Sequence, residues 1–87
     1  MMRSTERLFK ALANRRRLAI VVHLKRSHSA SVGELATLLK ASFPTVSKHL
    51  AQLASVEVVE YERRSKWVYY HLADSMPRLA QAILKHL

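Results

Sequence analysis

Between Ser42 and Ala54 the chain reads SFPTVSKHLAQLA, and the placing of one proline two residues after a serine leaves this stretch little choice of structure. Proline has no backbone N–H and its ring clashes with the preceding helical turn, so it is tolerated only in a helix's first turn. A serine hydroxyl just ahead of it accepts from the free backbone N–H groups there. A helix therefore starts at Ser42. Val46, Leu50 and Leu53, with Phe43 beside them, recur at the spacing of one buried stripe. The opposite side carries Pro44, Thr45, Ser47, Lys48, Ala51 and Gln52, with no carboxylate. Small residues allow close approach to a DNA groove, hydroxyls and amides match base edges, and Lys48 attracts phosphate or guanine. Such a face also suits an ordinary solvated helix, so its neighbours decide.

Upstream, Ser31 and Glu34 form an S-x-x-E capping box opening a helix whose apolar positions are Val32, Leu35, Ala36, Leu38 and Leu39. Only Lys40 and Ala41 separate its end from Ser42. Two helices joined this tightly, the second with a groove-compatible face, make a helix-turn-helix over about residues 31–54. Downstream the period changes from helical to alternating. Val58 to Glu62 and Trp67 to Leu72 are rich in β-branched and aromatic residues, with Val68, Tyr70 and Leu72 on one face. They predict a hairpin wing over about 58–72, tipped by the basic run Arg63, Arg64, Ser65, Lys66. Such a tip reaches phosphates or the minor groove, or keeps an exposed hairpin soluble.

Toward the N-terminus, Ser4 or Thr5 caps a short helix through about Ala13. Asn14 then caps a second, largely buried helix from Arg15 to about Lys25. The run Arg15-Arg16-Arg17 lies in that helix's first turn, where positive charge opposes the helix dipole. It fits phosphate contact, or a solvated end with one arginine in an internal salt bridge. Lys25 to Ala30 reads as a polar loop. At the other end Asp74 or Ser75 caps a last helix over about 75–87 with Pro77 in its first turn. Met76, Leu79, Ala80, Ile83, Leu84 and Leu87 form its apolar stripe. Together with Leu8, Phe9 and Leu12 of the first helix, this is more apolar surface than a monomer of 87 residues leaves in water. A two-fold homodimer is expected through the helices at about 4–13 and 75–87, setting two reading helices about one DNA turn apart.

The chain is short enough for one domain spanning 1–87, mainly α with a small β-hairpin, in the order α-α-α-α-β-β-α. Fifteen basic against six acidic residues give a net charge of +9, which draws the domain to a polyanion. No run is long enough to span a bilayer and the N-terminus lacks a signal peptide's apolar core, so the expected location is the cytoplasm, with no membrane partner.

LFKALANRRRLAIV (Leu8 to Val21), SVGELATLL (Ser31 to Leu39), PTVSKHLAQL (Pro44 to Leu53) and VYYHL (Val68 to Leu72), in this order and spacing, resemble the arsenical-resistance regulator (ArsR) family of winged helix-turn-helix repressors. The resemblance implies a homodimer that binds an inverted-repeat operator in double-stranded DNA until an inducer, unknown here, releases it. It implies base reading by Thr45, Ser47 and Lys48, backbone contacts near Ser42 and Pro44, and wing contacts by Arg63, Arg64 and Lys66. Where the family often places glycine, in the turn before the recognition helix, after it and at the wing tip, this chain has Lys40, Glu57 and Ser65. Left-handed backbone at each would cost about 1 kcal/mol, which predicts reshaped turns. The family's usual proline at the start of the second helix is Arg15.

The absence of cysteine excludes thiolate metal sites and thiol sensing. Family members that bind zinc, cobalt or nickel use aspartate and histidines of the last helix. Asp74 and His86 are an incomplete version of that set, so neither metal nor cofactor is expected. His49 is read as a packing residue with a hydrogen bond, and His71 and His86 as solvated or hydrogen-bonded ends of elements. Phosphate-binding glycine loops, nucleophile elbows and complete metal motifs are absent, which argues against an enzyme. The competing reading is a winged-helix interaction or dimerisation module with only non-specific DNA affinity.

Overall fold

The computed structural model describes residues 2–87. Its elements are α1 (Met2–Leu12), α2 (Arg15–Ser27), β1 (Ala30–Ser31), α3 (Val32–Leu39), α4 (Phe43–Ser55), β2 (Val59–Arg64), β3 (Trp67–Leu72) and α5 (Arg78–Leu84). Three of the five expected caps are in place. Asn14 accepts from the Arg17 amide, Ser42 from that of Thr45, and Ser31 and Glu34 complete their reciprocal box. Each bond spans three residues, so the sequence alone determines it.

Both helices of the helix-turn-helix close in the same way. The Ala41 and Lys40 amides return to the Ala36 and Thr37 carbonyls, and those of Val58 and Glu57 to Leu53 and Ala54. This double bond at a helix end needs a left-handed residue in its penultimate position. Lys40 has φ 53° and Glu57 φ 61°. The turns are thus not reshaped: the backbone stays left-handed although the glycine is gone, because the motif satisfies two carbonyls at once. Ser65 also has a positive φ, 60°, at the first position of the two-residue turn Ser65-Lys66, as a type II′ hairpin turn demands. Lys40→Gly, Glu57→Gly and Ser65→Gly should each raise stability by about 0.5–1 kcal/mol, read as a melting-temperature rise of a few degrees.

Four boundaries differ from expectation. Ser4 and Thr5 lie inside α1, which starts at Met2. The last helix is shorter than 75–87, beginning at Arg78 after Pro77, whose extended backbone (φ −53°, ψ 144°) makes no side-chain cap. Arg63 and Arg64 belong to β2, paired with Val68 and Trp67, and only Ser65-Lys66 form the turn. The supposed loop after α2 ends in β1, whose Ala30 and Ser31 pair with Tyr70 and Tyr69, so β3 is the centre of a three-stranded antiparallel sheet, order β1-β3-β2. The element order becomes α-α-β-α-α-β-β-α.

The core gathers residues from α1 through α5. Ile20, Val21, Leu35, Val46, Leu50, Leu53, Val58 and Ala80 are fully buried. The apolar stripes of the terminal helices split. Leu8, Leu12, Met76, Ala80 and Leu84 complete the protomer's own core, Ile83 is half-buried, and Phe9, Leu79 and Leu87 face outward. Leu38 and Phe43, assigned to buried faces from the sequence, are instead exposed. Phe43 lies over Gly33, the chain's one glycine, where a Cβ would meet the ring at 3.4 Å.

Candidate nucleic-acid interface

Helix α4 is held from beneath by Val46, Leu50 and Leu53, all fully buried, each contributing about 1.5–3 kcal/mol of hydrophobic stabilisation. Its other face is left to solvent. Ser42, Pro44, Ser47, Lys48, Ala51 and Gln52 are exposed and Thr45 is half-buried. The Ser42 hydroxyl donates to Thr45 Oγ1 at 3.0 Å and accepts the Thr45 amide, so cap and threonine hold each other at the start of the helix. Among the described residues Lys48 has no ion pair, and neither do Arg63 and Lys66 of the wing. Arg64 differs. Its guanidinium binds Glu62 and stacks 5.1 Å above the Tyr69 ring, which partly neutralises its charge.

Two arginines tie α4 to its neighbours: Arg7, which sequence reasoning left without a role, and Arg17, one of the basic run Arg15-Arg16-Arg17. Arg7 donates to the Ser55 carbonyl at its C-terminus at 3.3 Å. Arg17 joins three elements: its NH1 group donates to the Lys10 and Ala11 carbonyls at the end of α1, and its Nε donates to His49 Nδ1 at 3.2 Å. One member of the arginine run is thus engaged internally, with carbonyls and an imidazole instead of a carboxylate. The signal lay in the pairing of a basic first turn with the free carbonyls of the preceding helix, two residues away.

Arginine can only donate, so His49 Nδ1 must be unprotonated in this contact. Burial, together with the charges of Arg17 and Arg16, holds the His49 pKa below its ordinary value of 6.5. Above that value His49 is neutral whether the chain is folded or not. As pH falls below 6.5 the unfolded chain takes up the proton first, and folded stability declines until the lowered folded pKa has been passed. Thermal melts at pH 7.5 and pH 5 should therefore differ more for the wild-type chain than for His49→Gln. Equal pH dependence would remove His49 from the acid sensitivity.

Helices α3 and α4, joined by the short turn at Lys40 and followed by the β2–β3 hairpin, define a winged helix-turn-helix domain. Residues 14–61 match the family described as bacterial regulatory protein, arsR family, and the chain belongs to that family. It is 38% identical to the arsenical resistance operon repressor of Escherichia coli over 77 residues, 88% of this chain and 66% of that protein. Reduced HlyU from Vibrio cholerae superposes with a TM-score of 0.83 at 32% identity, over 99% of this chain and 86% of that one. The solution structure of a homodimeric winged helix-turn-helix DNA-binding domain from Mycobacterium bovis gives 0.83 at 29% identity, over 98% and 75%. The chain spans about two thirds of the length of the first curated relatives it matches. No helix among the described residues is long and apolar enough to cross a membrane.

Proposed function

We propose that this chain is a dimeric, sequence-specific DNA-binding transcriptional regulator, a repressor acting at an inverted-repeat operator, and not an enzyme. The observation that carries the reading is the exposed, carboxylate-free face of α4 in a chain of net charge +9. Thr45, Ser47 and Lys48 read base edges, Ser42 and Pro44 sit by the backbone, and Arg63, Lys66 and, more weakly, Arg64 hold the flanking phosphates. Repression follows the Escherichia coli relative, whose name records that role.

Selecting bound sequences from a random duplex pool tests it. An inverted repeat should emerge, bound with an affinity that falls steeply as salt rises. Trp67, the only tryptophan, is 57% exposed beside the wing turn, so its fluorescence should report the same binding event. Weak binding to every duplex alike, unchanged by substitutions at Thr45, Ser47 and Lys48, would favour the interaction-module reading.

The partner surface is the outward part of the terminal helices. Phe9 is 51% exposed, Leu79 40% and Leu87 41%, with Ile83 half-buried between the last two in sequence. Leu79 lines a cleft with Thr5 and Leu8, so α1 and α5 present these residues from adjoining surfaces. A homodimer would cover them, with Leu8, Leu12, Met76, Ala80 and Leu84 forming the layer beneath. Leu79→Asp places a carboxylate on this surface without entering the core, and should sediment as a monomer where the wild-type chain is a dimer. A dimer of unchanged affinity would take α5 out of the interface.

A further inference from the structure

Four of the chain's six carboxylates, Glu57, Glu60, Glu62 and Asp74, fall within 18 residues of an otherwise basic protein. Glu62 is neutralised by Arg64, but among the described residues the one ionisable group paired with Glu60 is the His71 imidazole, and Asp74 has no ion pair. Antiparallel register sets Glu60 of β2 opposite His71 of β3, and the chain leaving β3 brings Asp74 back beside them. One ring nitrogen of His71 and one carboxylate oxygen from each of Glu60 and Asp74 lie within 4.8 Å of one another.

We propose that Glu60, His71 and Asp74 form a binding site for a divalent transition-metal cation of the zinc, cobalt or nickel class. Ligand atoms on a tetrahedral ion of this class sit about 3.4 Å apart, so binding would draw these three side chains closer together. His71 Nδ1 lies 3.0 Å from the Leu72 carbonyl. A carbonyl has no proton to give, so Nδ1, which also lies 3.8 Å from Glu60 Oε1, carries the hydrogen, and an ion binds either by displacing that hydrogen or after the ring turns Nε2 toward the carboxylates. The Asp74 amide donates to Glu60 Oε1 at 3.4 Å, orienting that carboxylate. His71 and Asp74 open onto a cleft of about 510 Å³ that also admits water for the remaining coordination positions. Cations around this cleft are turned to other partners: Arg64 to Glu62, and Lys25 to the Leu84 carbonyl at 2.8 Å. With one nitrogen and two oxygen donors and no thiolate in the chain, the set favours borderline ions over soft ones.

This set shares only Asp74 with the last-helix ligands used elsewhere in the family, and it is complete within one protomer. A bound ion would clamp the base of the wing to the segment entering α5.

Cobalt titration of the full chain, followed by visible absorption, tests it. Ligand-field bands should appear and saturate below about 1 mM Co²⁺. Glu60→Gln and His71→Gln should each weaken binding by about tenfold or more, and His86→Ala should leave it unchanged. The absence of bands up to that concentration would overturn the proposal, as would wild-type binding by both variants. Loss of binding in His86→Ala to the same extent as in His71→Gln would also overturn it, by moving the ion to the last helix. Circular dichroism of the metal-free variants checks folding. Should His71→Gln not fold, Glu60→Gln decides alone, because Glu60 lies on the exposed side of an edge strand.

Discussion

Leu50→Ala is expected to remove about 2–5 kcal/mol of folding stability, the usual cost of emptying a fully packed leucine position. Leu50 is fully buried in the middle of α4, and the core it enters also takes in α2, α3 and β2. Domains of this size are stable by only about 4–13 kcal/mol, so this one change consumes a large part of the margin. Urea unfolding monitored by circular dichroism should show the midpoint falling sharply with little change in slope. A midpoint within experimental error of wild type would mean that Leu50 is not where the packing places it.

The second large effect is expected at Lys48, two residues earlier on the same helix but on its solvent side. Lys48→Ala should leave the unfolding midpoint nearly unchanged, since the side chain is exposed and without an ion pair among the described residues. Affinity for a selected operator should nevertheless fall by about 1–3 kcal/mol, roughly 5- to 150-fold. The form of the loss identifies the contact. A base contact relaxes preference at one position of the site, whereas a phosphate contact weakens all sequences alike and lowers the salt slope by about one. Unaltered affinity and unaltered slope would take Lys48 out of the interface. Leu50→Ala and Lys48→Ala together separate what makes the helix stand from what makes it read.

How much of this was legible in the sequence depended on the range of the interaction involved. The caps at Asn14, Ser31 and Ser42 are made within three residues, and all three were visible in the order of letters. The start of α5 was not: Asp74 and Ser75 look like caps, but Met76 is buried in the core and Pro77 is extended, so the helix waits until Arg78. Strand β1 is two residues long and exists only through its pairing with Tyr69 and Tyr70, almost forty positions away. The terminal apolar stripes were recognised as such. Their division between core and surface depends on the angle at which α1 and α5 pack, which periodicity does not encode. The solvent-facing side of α4 was legible because amphipathic spacing fixes it. Arg17's bridge to His49 and the grouping of Glu60, His71 and Asp74 were not, because tertiary packing in the first case and strand register in the second bring those residues together.

Strand β1 leads directly into α3, and β3 joins β1 to the outer strand of the wing. Hairpin and helix-turn-helix are therefore hydrogen-bonded to each other through one sheet, so moving one part against the other to suit a particular duplex would cost those bonds. In a complex, adjustment is then expected mainly from the nucleic acid. Steps that kink readily, such as TA or CA, should be enriched between and beside the half-sites even at positions no side chain touches, and rigid A-tracts depleted where curvature is needed.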